Sequence, residues 1–296
     1  RTPTYPCFSE VSSWLKLECF QPVRAFKIRG AANKILSLPR ERLDKGVITA
    51  SSGNHGLAVA YVAYKLRIKA TIVLPENVVP EKLSMIKSLG ANTVLFGKQQ
   101  DERQTKANEI WKAQGLEFIH PYNDVEIIAG QGTCGLELIE DFPDLDTIFV
   151  PIGGGGLISG VASAVKLKTT KDRVRIIGVQ PKGSPSMYDS YSKGELSSIA
   201  ESKTIADGLS VRKPGDITFE FVKRYVDGIV LVSDQEILDA TRQLILKEHV
   251  LAEPSGAAAF AALVRARKQK STIGNTAAIV SGGNISRDIL MKILAA

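Results

Sequence analysis

Val47-Ile-Thr-Ala-Ser-Ser-Gly-Asn-His-Gly-Leu-Ala-Val-Ala-Tyr-Val-Ala-Tyr-Lys-Leu66, followed shortly by Ala70-Thr-Ile-Val-Leu74, decides the fold. A β-branched run ends in small turn-forming residues, an apolar helical stretch follows, and a second β-branched run closes the unit. Outward from this segment the alternation continues. Strands are expected at 47–50, 70–74, 93–96, 147–150, 175–179, 228–232 and 277–280. Helices are expected at 56–66, 80–89, 102–114, 157–168, 234–247 and 255–267. Such interleaving reads as an α/β fold of two-lobed open parallel sheets. Three strand-helix units form a smaller inserted α/β domain, 46–122, within a large domain made of 1–45 and 123–296. Pro121-Tyr-Asn-Asp124 is the return connection, and a cleft is expected between the lobes.

The bulk properties restrict the function classes. With 296 residues, 44% hydrophobic and 23% charged, the chain can bury a large core. The net charge of +7 is scattered, and its densest run, Arg265-Ala-Arg-Lys-Gln-Lys270, falls at a helix end, where cations complement the dipole. An anionic small ligand is therefore favoured over nucleic acid. Cys7, Cys19 and Cys134 are odd in number and lack metal-binding spacing, so reduced thiols in a cytoplasmic protein are expected. No run reaches the roughly 18 apolar residues of a membrane span, and no signal peptide is expected. The chain starts at Arg1 rather than Met, so a short preceding piece is expected.

Four stretches carry chemistry. In Ala25-Phe-Lys-Ile-Arg-Gly-Ala31, Lys27 is either a solvated lysine on a half-buried helix or an amine that condenses with a carbonyl cofactor. Ser51-Ser-Gly-Asn-His-Gly56 sets hydroxyls and backbone N–H groups at a helix start, which suits a carboxylate; an ordinary capped helix would explain Ser and Gly equally well. Gly153-Gly-Gly-Gly156 lets N–H groups converge on a phosphate. A dinucleotide fingerprint fails at Ile158 and Ser159, and no P-loop Lys-Ser/Thr follows, so a single phosphate is favoured. Ser281-Gly-Gly-Asn284 ends a buried strand, where a hydroxyl can face a ligand or merely start a turn.

In this order, the stretches resemble the fold-type II pyridoxal-phosphate enzymes (tryptophan synthase β-like), specifically the threonine/serine dehydratase (ammonia-lyase) and serine racemase branch. Glu18-Cys-Phe-Gln-Pro-Val-Arg-Ala-Phe-Lys-Ile-Arg-Gly-Ala31 is similar to its lysine signature, with Ala25 where many members have Ser. Ala129-Gly-Gln-Gly-Thr133 and Ile205-Ala-Asp-Gly208 are further similar stretches. The resemblance implies pyridoxal 5'-phosphate as cofactor, with Lys27 as the Schiff-base lysine and Phe26 against the ring. It places Asn54 on the ring hydroxyl, Gly153, Gly154, Gly155 and Gly156 on the phosphate, and Ser281 on the pyridine nitrogen. Ser51, Ser52, Gly53, Asn54 and His55 form the substrate-carboxylate loop, without imidazole chemistry at His55.

The implied activity is β-elimination of L-threonine to 2-oxobutanoate and ammonia, and of L-serine to pyruvate and ammonia. Lys27 is the base, and Ser52 is the second acid/base if racemisation accompanies elimination. Serine racemases carry Asn after His-Pro, whereas His120-Pro121 is followed by Tyr122, which favours the lyase. Gln180 and Ser186 stand where the family's divalent-cation carboxylates are expected, which argues against metal dependence and leaves room for a monovalent ion held by carbonyls. A homo-oligomer, dimer or tetramer, is implied. The C-terminal regulatory domain of biosynthetic threonine dehydratases, and isoleucine inhibition through it, are not expected. The other readings are a serine racemase with accompanying dehydratase activity, another β-replacement enzyme of the fold, a non-catalytic cofactor-binding protein and, least favoured, a nucleic-acid-binding module.

Overall fold

A computed structural model describes residues 1–51, 53–78, 80–98, 100–169, 174–269 and 274–295. Two compact units are present: a larger one, Arg1–Phe26 with Gln131–Ala296, and a smaller one, Lys27–Gly130.

The larger unit opens with β1 (Thr4–Pro6) and β2 (Ser13–Leu17), which pair antiparallel. The smaller unit follows: α1 (Lys27–Leu36), α2 (Arg40–Leu43), β3 (Val47–Ala50), α3 (Asn54–Leu66), β4 (Ala70–Leu74), α4 (Pro80–Ser88), β5 (Asn92–Leu95), α5 (Gln100–Gln114) and β6 (Glu117–Phe118). Helix α6 (Val125–Asp141) leads back to the larger unit. There follow β7 (Thr147–Pro151), α7 (Gly156–Lys168), β8 (Arg175–Pro181), α8 (Ser186–Lys193), α9 (Asp216–Tyr225), β9 (Gly228–Val232), α10 (Asp234–Leu246), α11 (Pro254–Lys268), β10 (Thr276–Val280) and α12 (Arg287–Ala295).

In the larger unit the sheet order is β1-β2-β10-β7-β8-β9, parallel from β2 onward. Its central strands are buried on both faces, as β-branched runs between helical layers require. One face packs Val179, Val232 and Val280 against Leu244 of α10 and Phe260 of α11. The other packs Ile148 and Ile176 against Ile158 and Val161 of α7 and Phe219 of α9. Helix α11 starts on Pro254, whose fixed φ suits a first helical position, and ends on Arg265, Arg267 and Lys268. The basic run serves structure: Arg265 bonds Leu231 O and Glu236, and Arg267 bonds the carbonyls of Ser12 and Gly274.

The smaller unit holds an all-parallel sheet of order β5-β4-β3-β6. Ile48, Ala50 and Val73 pack on Ala107 of α5 and on Leu116. This unit contains the 46–122 span and also α1 and the first turns of α6. The reason is helix packing. Helix α1 lies on α3, and a Cβ on Gly130 of α6 would stand 2.6 Å from Arg29 O of α1, so only glycine allows that approach. Lys34 and Asn33 of α1 further bond Asp124 and Glu126.

Candidate active site

In open parallel sheets, ligands lie beyond the carboxyl ends of the strands. In the larger unit, the loops after the neighbouring strands β10 and β7 are Ser281-Gly-Gly-Asn284 and the four glycines. A short antiparallel stitch fixes the first of these. Ala25 bridges Gly282, Phe26 N–H donates to Ser281 O (3.0 Å), Gly283 N–H to Arg24 O (2.8 Å) and Asn284 Nδ2 to Val23 O (2.9 Å). Lys27, the next residue, opens α1. Ser281 is buried, and its hydroxyl is 3.5 Å from Ser255 O.

The glycine loop is held from behind. Gly154 O accepts the hydroxyl of Thr218 on α9 (2.7 Å). Across a planar trans peptide the following N–H, that of Gly155, points the opposite way. Gly155 has φ +99, and a Cβ there would meet Met187 Cε at 2.7 Å and Thr218 Cβ at 2.8 Å, so the residue must be glycine. Helix α7 starts at Gly156 with no side-chain cap and no acid in its first turn. An uncapped helix N-terminus preceded by N–H groups turned one way fits a phosphate. Gly153 rests on Gly208 and Leu209, and Gly208 N–H donates to Ser255 Oγ (2.9 Å), so the Ile205–Gly208 stretch joins the phosphate loop to the Ser281 loop.

In the smaller unit, the carboxyl ends of β3 and β6 lie side by side. Lys27 Nζ donates to Pro121 O (2.7 Å). Burial holds its ammonium down at about 8 against an ordinary 10.5, so the neutral amine, a minor form at pH 7, becomes the major one only above about 8. Thr49 Oγ1 (2.8 Å) and His55 Nε2 (3.0 Å) both reach Ile119 O, so Nε2 carries the proton. His55 is buried, its Nδ1 has no partner, and burial together with the Lys27 charge pushes its pKa to about 3. A neutral, oriented ring results. Gly53 N–H points to Ser51 Oγ (3.3 Å), and α3 starts at Asn54 without a side-chain cap or an acid, which fits a carboxylate. Ser52 lies outside the described residues.

Sequence reasoning missed Thr49 and the carbonyls of Ile119 and Pro121. Main-chain acceptors carry no side-chain signature, and the alternation hid Thr49 as an ordinary strand residue. A divalent cation does not fit the end of β8. Gln180 is fully buried with its Oε1 accepting Tyr188 N–H (2.8 Å), which leaves an N–H₂ donor there, and Ser186 donates to Val211 O (2.6 Å). Among the described residues no cluster of His, Cys, Asp or Glu could hold a metal.

The larger unit thus carries an uncapped glycine cradle and a buried serine at a strand end, and the smaller unit a buried lysine amine at a helix start. The chain belongs to the pyridoxal-phosphate dependent enzyme family, whose model matches residues 1–282. Pyridoxal phosphate is its cofactor. It is 43% identical over 281 residues to the L-threonine ammonia-lyase of Thermotoga maritima, covering 95% of this chain and 69% of that protein. The processed form of threonine deaminase isoform 2 from Solanum lycopersicum superposes with TM-score 0.95 at 37% identity, over 99% of this chain and 82% of that one. Maize serine racemase gives 0.93 at 38%, over 99% and 91%.

Proposed function

We propose that this chain is a pyridoxal-phosphate-dependent ammonia-lyase that converts L-threonine to 2-oxobutanoate and ammonia, and L-serine to pyruvate and ammonia. The observation that carries this reading is the Lys27 amine, set at the start of α1 against Pro121 O and lowered by burial to about 8, in a chain 43% identical to an L-threonine ammonia-lyase. Bound pyridoxal phosphate supplies the aldehyde that takes the substrate amine and the electron sink that acidifies Cα.

The chain's own residues do the rest. The N–H groups of the 153–156 loop hold the phosphate, Phe26 lines the ring, Ser281 meets the pyridine nitrogen and Asn54 the ring hydroxyl. Ser51, Ser52, Gly53 and the start of α3 around His55 take the substrate carboxylate. Lys27 Nζ removes the Cα proton, the β-hydroxyl leaves as water with a proton delivered through the bound phosphate, and one water hydrolyses the released enamine to the 2-oxo acid and ammonia. A hydroxyl at Ser281, rather than a carboxylate, leaves the pyridine nitrogen less firmly protonated, which suits expulsion of a β-substituent.

The likeness to maize serine racemase supports racemisation as an accompanying activity, with Ser52 on the second face. A cytoplasmic location is supported by three buried free cysteines, and a dimer or tetramer by exposed apolar residues such as Phe8 and Val11. Among the described residues no helix is long and apolar enough to cross a membrane. The test is addition of L-threonine to purified protein carrying pyridoxal phosphate, with 2-oxobutanoate and D-amino acid measured in parallel. Turnover of O-acetylserine but not of L-threonine would overturn the reading.

A further inference from the structure

The segment 119–123 after β6 is held at both ends by side chains. Ile119 O takes Thr49 Oγ1 and His55 Nε2–H. His120 Nδ1 accepts two backbone N–H groups, from Tyr122 (3.2 Å) and Asn123 (2.8 Å), and Tyr122 presents its ring edge-on at 4.8 Å. Between these anchors stands Pro121, which has no N–H and a fixed φ, and whose carbonyl receives Lys27 Nζ. We propose that His120 is a positioning residue: its Nδ1 lone pair folds the segment so that the Pro121 carbonyl holds the Lys27 amine in an orientation suited to taking the substrate's Cα proton.

An amine that donates one N–H to a carbonyl turns its lone pair away from that carbonyl, so the position of Pro121 O restricts where the base points. The choice of imidazole follows from charge. An aspartate could accept the same two N–H groups, but it would place a negative charge beside Lys27 and favour the ammonium. A neutral imidazole caps the turn without that charge. Accepting at Nδ1 requires the ring proton on Nε2, which defines a measurable tautomer.

The inference rests on the ammonia-lyase reading for its kinetic arm only. His120→Phe keeps a ring and loses the acceptor, and His120→Asn keeps a neutral acceptor. His120→Phe is expected to lower kcat for L-threonine about tenfold with KM within about twofold, and His120→Asn to recover kcat to within about threefold of the unaltered enzyme. In the ¹⁵N-histidine-labelled holoenzyme, whose three histidines are readily told apart by substitution, His120 Nδ1 is expected to be unprotonated and Nε2 protonated at neutral pH. Unchanged kcat in His120→Phe, equal impairment in both variants, or a proton on Nδ1 would each overturn the proposal. The tautomer is read on the unaltered protein, so it decides the matter whether or not His120→Phe folds. A protein inert toward L-threonine whose His120 carries the expected tautomer would fail the ammonia-lyase reading alone.

Discussion

Lys27 gives one of its Nζ hydrogens to the main-chain oxygen of Pro121 at 2.7 Å. A carbonyl attracts the ammonium without the full charge of a carboxylate. The amine is thus held in place while burial keeps it titrating near neutrality. From that combination come the two most direct tests of the site.

Lys27→Ala should lower kcat for L-threonine by more than about a thousandfold, since the variant loses both the cofactor's covalent partner and the base. Its visible absorption should also lose the sensitivity to added substrate that is expected of the unaltered enzyme. Retention of turnover at even a tenth of the original rate, by the order of magnitude expected for a base, would refute the role of Lys27.

Acidification should switch the enzyme off around Lys27. The buried amine titrates at about 8 against an ordinary 10.5, so below about 8 it is protonated and cannot accept the Cα proton. The log kcat profile should therefore rise with pH and level off near that value. The same shift has a folding consequence in the cofactor-free chain. Between about 8 and 10.5 the unfolded state binds the extra proton, so stability should climb with pH across that window. An acid limb centred below about pH 6 would exclude Lys27 as the titrating base.

His55 should make the fold acid-sensitive. Its folded pKa is depressed to about 3 from 6.5, so below 6.5 the unfolded chain takes up a proton that the folded chain refuses. This one group should cost about 2–3 kcal/mol of stability on going from pH 7.5 to pH 4.5. Denaturant unfolding at the two pH values measures it. His55→Gln, without a titratable ring, should show a correspondingly flatter dependence; an unchanged slope would remove His55 as its cause.

Gly155→Ala should weaken cofactor binding more than it weakens the fold. The added methyl would press on Met187 Cε and Thr218 and force a left-handed backbone on alanine, at about 1 kcal/mol for the dihedral alone. The dissociation constant for pyridoxal phosphate, read by fluorescence or equilibrium dialysis, should rise about tenfold as the N–H groups lose their aim. An unchanged constant would mean that the phosphate binds elsewhere.

Lys16 offers a test away from catalysis. It is fully buried in β2, with Nζ 2.7 Å from Glu137 and 2.9 Å from Thr2 O. Lys16→Met should cost about 3–5 kcal/mol because Glu137 loses its nearest cation and keeps only the more distant N-terminal ammonium, 3.9 Å away, and Glu137→Leu added to it should restore more than half of the loss. Chemical denaturation of the two variants separates these outcomes.

The same lysine shows why part of the fold was hidden in the sequence. Seven strands are legible because β-branched runs alternate with helical patterns. Ser13-Trp-Leu-Lys-Leu17 is not, because a lysine mid-strand reads as solvent-facing until its partner, over a hundred residues away, is known. β1 and β6 are too short to show a period. Helix α6 is not legible because Gly130 and Gly132 weaken its helical pattern, whereas in the structure Gly130 admits α1. In the candidate site the four glycines are legible as a motif, whereas Lys27 and Ser281 each allow two readings until the family resemblance assigns them. The carbonyls that orient Lys27 and His55 belong to Pro121 and Ile119, residues whose side chains announce nothing.

The Gly154 carbonyl is fastened by Thr218, a residue of α9 that no catalytic step requires. Hold on the phosphate is therefore tied thermodynamically to the integrity of a helix outside the chemistry. A substitution that loosens α9, such as Thr218→Val, should behave as a vitamin-responsive lesion. The protein would be depleted of cofactor before it is unfolded, and a richer supply of pyridoxal phosphate would refill it by mass action.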